Sequence, residues 1–475
     1  MGDFRIFTVG WQPEFAYRLL SPIADRTNIQ FRHGIVGDSS RIDAVRIRFP
    51  NLDLVSISKR QNDPLPEPDS AFLASLEHKN IPSIRAMIRG DRVLRHRSER
   101  EALGYATLLA RSLKQQLENS QPNLVLGTYD SIHAGLGLAV ARSLKIPWVA
   151  LAFPVIPDNL TGFSRGLTPD QLVPLVRPIT EELRSEARLL INNVRNKQQP
   201  VTAYKAPISF IQLINKYWES GCNWINRMRN SEFMGIDQFT YPTALERFTD
   251  STRRLHNRLR LPTGKMLTIP PKGRYIYFPM HMSPEAMLDT WAPAYQDQLG
   301  FMTRLSLVVP INIKIVIKLH FSDPDNYTQA ELNTMMQIPN VEIAHPSASG
   351  NTFLEKASLV IGIQGTSCLE AALMAKSVLI FGNSPYQYFP ATQRAGASYE
   401  LAGQIRRLLN NEPPTDEAIV DAYAAYLAKY MPGRINDWSK PISASHFDRY
   451  AECFQALFRY LEDEKSKIDW YDSEK

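Results

Sequence analysis

The chain has 475 residues, 44% of them hydrophobic and 21% charged, a balance that excludes a disordered or fibrous polypeptide and supplies apolar side chains for more than one core. No run approaches the roughly 20 apolar residues that span a bilayer. The opening residues lack the basic-then-apolar order of a secretory leader, so the expected location is the cytoplasm. Cys222, Cys368 and Cys453 are widely separated, with no Cys-x-x-Cys and no ligand-like histidine spacing, and predict neither a disulfide framework nor a zinc site.

The net charge of +6 has one source. Residues 161–260 hold 15 Lys and Arg against 9 Asp and Glu, and the rest of the chain is neutral. Positive charge mixed with Trp, Phe, Ile and Leu at helical spacing predicts either a solvated helical face or a surface for an anionic membrane or polyanion. No nucleic-acid motif accompanies it.

Residues 4–9 form an apolar strand ending at Gly10, the next ten turn into a helix, and 28–36 form a second strand, which is a βαβ opening. Residues 55–56 are extended, and 69–119 are mostly helical with a basic patch at Arg92, Arg95, Arg97 and Arg100. Residues 123–127 are a buried strand. Thr128-Tyr129-Asp130-Ser131 follows it, then a small-residue helix over 132–144 and a strand over 146–153. The pattern predicts a Rossmann-like domain over 1–157 that places Asp130 and His133 at a strand's carboxyl end.

From 158 to 262 the strand signal disappears, while 179–194 and 209–229 carry helical periodicity, so 158–270 reads as a helical, basic insert. A second alternation of strands and helices fills 271–400, with strands at 275–279, 312–318, 341–343, 359–363 and 377–381. Three helix-like segments occupy 401–475 and are expected to pack across the hinge. Two Rossmann-like domains in tandem with C-terminal helices describe an α/β protein of the GT-B class, whose ligand cleft lies between the domains.

The stretch 357–382, ASLVIGIQGTSCLEAALMAKSVLIFG, reads as strand, turn, helix and strand. In a parallel sheet such a turn lies at the carboxyl end of its strand, and the following helix offers free amides to an anion, which predicts a phosphate-bearing ligand. Ser367-Cys368-Leu369-Glu370 also spells a capping box, which would engage Ser367 and Glu370 with each other instead.

Two more stretches accompany this one. FPMHMSPEAML at 278–288, followed by AYQDQ at 294–298, resembles the signature FPLHxQPE … DQ, and IKLHFSDPDNY at 317–327 resembles KEHP. The stretch 357–382 resembles TGTxGxEALxxGKPVLxFG. All three are features of capsular polysaccharide biosynthesis proteins, a group of GT-B glycosyltransferases that includes the β-Kdo transferases of capsule and lipopolysaccharide assembly. The resemblance covers about residues 274–390. It departs at Leu319 and Phe321, which replace Glu and Pro of KEHP, at Ala375-Lys376-Ser377, which replaces Gly-Lys-Pro, and at Cys368, which replaces a glycine of the turn.

The resemblance implies a glycosyltransferase that takes a sugar from an activated nucleotide donor, CMP-Kdo in the best-known relatives, to a bacterial surface polysaccharide, either capsule or lipopolysaccharide. Its partners would be that donor, a glycan or glycolipid acceptor and, through the basic insert, the anionic inner-membrane surface, with no cofactor. Another activated sugar such as a phosphoribosyl donor, a nucleotide-sugar epimerase and a non-catalytic scaffold of glycan assembly are the alternatives. The one Asp-x-Asp, Asp323-Pro324-Asp325, has the composition of a turn, so metal independence is expected.

Lys318 and His320 end the strand 312–318, where a buried lysine calls for a phosphate or carboxylate, whether from a ligand or from Asp323. Gly365, Thr366 and Ser367 are expected on the donor's phosphate, and Glu370 on a ribose hydroxyl. His281 and Glu285 follow the strand 275–279 and would orient the sugar or leaving phosphate. Asp130 is the first candidate for the catalytic base or nucleophile, with His133 and Glu14 behind it. His345-Pro346 forms a second strand-end pair, read more simply as a turn.

Overall fold

A computed structural model describes residues 4–37, 39–57, 64–129, 131–175, 177–196, 222, 237, 239, 241–320, 324–433, 443–462 and 470–471. Runs of β-branched and aromatic residues become short strands, those in the middle of each sheet largely buried, as sheets covered on both faces require. In chain order these are β1 (Phe4–Thr8), β2 (Ile29–Ile35), β3 (Asp53–Ser56), β4 (Leu124–Gly127), β5 (Trp148–Ala152), β6 (Leu160–Ser164), β7 (Tyr275–Pro279), β8 (Lys314–Lys318), β9 (Val341–Ala344), β10 (Leu359–Gly362), β11 (Val378–Ile380), β12 (Thr392–Arg394) and β13 (Met431–Pro432).

The first sheet has the order β13-β6-β5-β4-β1-β2-β3, parallel from β5 to β3, with β6 antiparallel to β5 and β13 antiparallel to β6. The second, β12-β11-β10-β7-β8-β9, is parallel throughout. Counted from its own first strand, each sheet contains the Rossmann order 3-2-1-4-5. The order reverses between β1 and β4 in one and between β7 and β10 in the other, the points where such sheets open a crevice at their carboxyl edge.

The chain divides into two units, Met1–Arg177 with Glu219–Thr243 and Lys429–Lys475, and Pro178–Trp218 with Ala244–Ala428. This cuts across two expected segments. Within 158–270, β6 belongs to the first sheet. Its sequence, LTGFS, has too few large apolar residues to read as a strand, yet all five residues are buried, with Gly162 close against Tyr430. The helix Glu181–Arg195 counts with the second unit, and there Arg184, Arg188 and Arg195 pair with Asp421, Glu417 and Asp416 of the helix Asp416–Leu427. Part of the insert's positive charge is therefore neutralised inside the fold. Residues 209–229 lie outside the described residues apart from Cys222. Of the C-terminal helices, Leu401–Asn410 and Asp416–Leu427 belong to the second unit and Ala444–Glu462 to the first.

Each unit has its own core. In the first, Tyr105, Leu109, Leu113 and Leu117 form one stripe of the helix Glu99–Ser120 within a cluster that includes the helix Ile132–Ser143, while Phe454, Leu457 and Phe458 of Ala444–Glu462 join the opposite face. In the second, Ile276, Phe278, Ile315, Ile317, Leu359 and Ile361 alternate along three adjacent strands onto Phe301, Leu305 and Ile405.

Candidate functional site

At the end of β7 the chain passes through Met280, whose amide bonds the Lys318 carbonyl at 2.9 Å, to His281. Gln298, 2% exposed, then grips the His281 backbone twice, accepting from its amide at 2.8 Å and donating to its carbonyl at 3.1 Å. The same side-chain amide donates to the Tyr327 hydroxyl at 3.1 Å. This gives the DQ of the first motif a physical meaning. Asp297 caps the helix Gln298–Ser306 by accepting from the Gly300 amide at 2.8 Å, and Gln298, the first helical residue, fixes the loop that carries His281.

At the end of β10 the chain turns at Gly365, φ +107°, which caps the helix Thr366–Leu373 without a side-chain bond. The Gly365 carbonyl accepts from the Tyr386 hydroxyl at 2.6 Å and from the amides of Cys368 and Leu369 at 3.2 and 3.4 Å. Among the described residues the amides and hydroxyls of Thr366 and Ser367 have no hydrogen-bond acceptor, so the first turn of the helix is open. Ser367 is the second residue inside this helix, so the capping box with Glu370 does not form.

The two turns meet at the reversal of strand order. A Cβ on residue 365 would lie 2.9 Å from Cε1 of His281 and 3.6 Å from Nε2. His281 is 7% exposed, and among the described residues its Nε2 has no hydrogen-bond partner. Its Nδ1 lies 3.8 Å from a carboxylate oxygen of Glu285, too far for a hydrogen bond. Burial holds the pKa of His320 below its ordinary value, with Glu285 pulling it up and His281 pushing it down, so these three side chains share one electrostatic environment. A buried, unmatched ring nitrogen beside two open amides is a cradle for an anion.

Glu370 sits one turn further along the helix, half-buried, and burial pushes its pKa up to about 7. Burial, and after it the Glu370 charge, raises the pKa of the Tyr277 hydroxyl. Glu370 is poised to accept a hydrogen bond and costly to ionise.

Lys318 has partners other than the expected anion. Its ammonium donates to the carbonyls of His345 and Pro346 at 2.7 and 2.8 Å, and burial lowers its pKa to about 8. Both carbonyls follow β9, at the far edge of the sheet from β10, so Lys318 clamps that loop. The position of Asp323 lies outside the described residues. His345 forms a local turn, with Nδ1 2.6 Å from the Ser347 hydroxyl, as the simpler reading of His345-Pro346 holds.

The corresponding point of the first unit is filled. Asp91, 4% exposed, accepts from the amides of Val93 and Leu94 with one oxygen, and with the other from the amide of Ile132 at 3.2 Å, the first residue of the helix Ile132–Ser143. The chain's own carboxylate thus occupies the helix terminus. His133 is buried with its nitrogens 3.1 Å from the Ser131 hydroxyl and 3.3 Å from the Tyr105 hydroxyl, and burial lowers its pKa to about 4. Glu14 pairs with Arg48 at 3.3 Å. Asp130 lies outside the described residues. Among the described residues no group of three or more His, Cys, Asp or Glu side chains gathers as metal ligands.

Sequence reasoning missed Asp91, Tyr327 and Tyr386, and quoted Gln298 without a role. Nothing local marks Asp91 as a cap for a helix 41 residues downstream.

No family model and no curated protein matches the chain. Solved structures do. KpsC of Thermosulfurimonas dismutans is matched as a β-Kdo 2,7-transferase at 11% identity and a TM-score of 0.38, over 96% of this chain and 99% of the other. As a β-Kdo 2,4-transferase it is matched at 11% identity and a TM-score of 0.35, over 66% and 82%. UDP-GlcNAc 2-epimerase of Neisseria meningitidis is matched at 13% identity and a TM-score of 0.28, over 90% and 96%. The chain is an α/β protein built of two Rossmann-like units, and the structures it is similar to include β-Kdo transferases and a UDP-GlcNAc 2-epimerase.

Proposed function

We propose that the chain is a glycosyltransferase that binds an activated nucleotide sugar in its second unit and transfers the sugar to a bacterial surface glycan, capsule or lipopolysaccharide. The observation that carries the reading is the buried Nε2 of His281, without a partner among the described residues, beside the open helix terminus at Gly365, at the reversal point of the second sheet. The plugged counterpart at Asp91 supports assigning the donor's phosphate to the second unit.

In this account the amides of Thr366 and Ser367 and the imidazole of His281 hold the phosphate. An anion there gains roughly 0.3 to 2 kcal/mol from the helix terminus, and a hydrogen bond from the imidazole to the charged phosphate adds roughly 1.5 to 3 kcal/mol. As the sugar departs, charge grows on that phosphate, and donors already in place favour the transition state over the bound donor. Glu285 and His320, beside His281, orient the sugar or leaving phosphate, and Glu370 accepts from a ribose hydroxyl. Lys318 positions the loop after β9. Asp130 is the acceptor-side base or nucleophile, and the donor charge is neutralised without a metal. The three motif stretches favour CMP-Kdo as donor and a cytoplasmic enzyme.

A panel of nucleotide sugars, incubated with glycan acceptors and followed by nucleotide release, tests this. One donor should be consumed only when acceptor is present, with activity unchanged by chelator and lost in Asp130→Asn. Epimerised donor would replace this reading with an epimerase, and nucleotide binding without turnover would replace it with a scaffold. A phosphoribosyl donor would correct the sugar alone.

A further inference from the structure

The helix Ala244–Leu259 is turned inside out. Leu245, Phe248, Leu255 and Leu259 recur at steps of 3, 7 and 4 residues, one stripe at helical spacing, with Thr252 in the gap. A helix on a globular protein normally buries such a stripe. Here Leu245, Phe248 and Leu259 are 73%, 68% and 60% exposed, while Asn257 is 3% exposed. The polar residues make the contacts with the fold. Asn257 donates to the Asp325 carbonyl at 3.1 Å, Arg253 to the Asn326 carbonyl at 3.3 Å, and Arg254 reaches the Ser283 carbonyl at 3.5 Å.

Cations border the exposed stripe on both sides. At 100° per residue, Arg253 and Arg260 fall on one flank and Arg247 and Arg258 on the other. Acidic residues are fewer. The helix carries Glu246 and Asp250, and Asp250 is paired with Arg253 and Arg254. The other cationic helix of the insert, Glu181–Arg195, is matched with acids of the second unit. Net positive charge and exposed apolar surface thus coincide on Ala244–Leu259. Among the described residues no helix is long and apolar enough to cross a membrane, and this one, roughly 24 Å long, has the pattern of a helix that lies along a surface.

We propose that the helix Ala244–Leu259 is a docking surface for an anionic lipid bilayer, with Phe248, Leu245 and Leu259 entering the headgroup region and Arg258 and Arg260, on its two flanks, meeting lipid phosphates. The loops it is bonded to follow β7 and β8, on the edge of the sheet that carries His281 and His320. Docking would bring that edge to the membrane, where a lipid-linked acceptor is found. The proposal concerns the helix alone and stands whether or not the phosphate site transfers sugar.

Co-sedimentation of the full chain with vesicles of phosphatidylglycerol and phosphatidylcholine tests it, beside vesicles of phosphatidylcholine alone. The expected result is at least tenfold stronger binding to the anionic vesicles, weakened by salt, and a tenfold or greater loss in Phe248→Glu/Leu259→Glu. Both side chains are exposed, so the variant keeps the wild-type melting temperature. His281→Ala should bind vesicles as the wild type does, which separates this proposal from the phosphate site. Equal binding to both vesicle types, no binding to either, or full binding by the double variant overturns it. So does light scattering that finds a dimer which the double variant converts to monomer, because a second copy would then cover the stripe.

Discussion

The His281 ring lies against Gly365 across the two central strands of the second sheet and leaves no room for a side chain at 365. A Cβ at 365 would stand 2.9 Å from the imidazole, and φ of +107° there is a conformation that side chains resist. The sequence motifs around the two residues, 84 positions apart, come together in the fold.

Gly365→Ala should destabilise the second unit by about 1–2 kcal/mol through its backbone alone, and displace His281 as well. The measurement is a denaturation midpoint combined with nucleotide affinity, both expected to fall. Gly264→Ala is the control, since nothing lies within 4 Å of a Cβ there. Equal behaviour of the two variants would refute the contact.

Gln298→Leu keeps the bulk and removes both bonds to the His281 backbone. Leaving a buried amide and carbonyl unmatched costs about 1–3 kcal/mol, so the melting temperature should drop. Nucleotide affinity should fall together with it, although Gln298 would touch no ligand. A stable variant with unchanged affinity would show that the loop holds His281 without this clamp.

Glu370 carries a pH signature. Its pKa lies near 4.5 ordinarily and about 7 in the fold, so between these values the folded state binds more protons than the unfolded. Stability is therefore lost as pH rises from about 4.5 to 7, by about 1–3 kcal/mol for a half-buried carboxyl. Glu370→Gln should flatten that slope in urea midpoints taken across the range. An unchanged slope would assign it elsewhere.

The first unit should show the opposite slope. His33 and His133 are buried, with pKa values lowered from 6.5 to about 4. The unfolded chain takes up protons first as pH falls through that window, and stability is lost toward acid. Replacing His33, whose Nδ1 lies 2.6 Å from the Thr8 hydroxyl, by Gln should remove part of the acid loss while lowering stability at neutral pH. Near-ultraviolet spectra of Trp148, buried in this unit, follow it selectively.

Much of this was readable in advance because buried parallel strands are short apolar runs, and β1, β4, β7, β8 and β10 stand in the sequence as such. The turn at Gly365 and the pair His281 and Glu285 were legible for the same reason, since they directly follow those runs. What the sequence hides are long-range partners. Gln298 under His281 and Asp91 on Ile132 depend on distances that no local pattern encodes. Lys318 at a strand end reads as an anion ligand, and no local pattern shows that two backbone carbonyls accept from its ammonium. The helix Ala244–Leu259 has the periodicity of a packed helix, and only the fold reveals that its apolar stripe faces outward.

Calorimetric titration of a nucleotide and its parent nucleoside into the wild type and His281→Ala tests the central claim most directly, because the two ligands differ only by the phosphate. The account predicts that the wild type binds the nucleotide at least tenfold more tightly, about 1.4 kcal/mol, and that His281→Ala erases most of that difference while leaving nucleoside binding intact. Equal affinities in the wild type, or a preference untouched by the substitution, would contradict a phosphate site at His281 and Gly365.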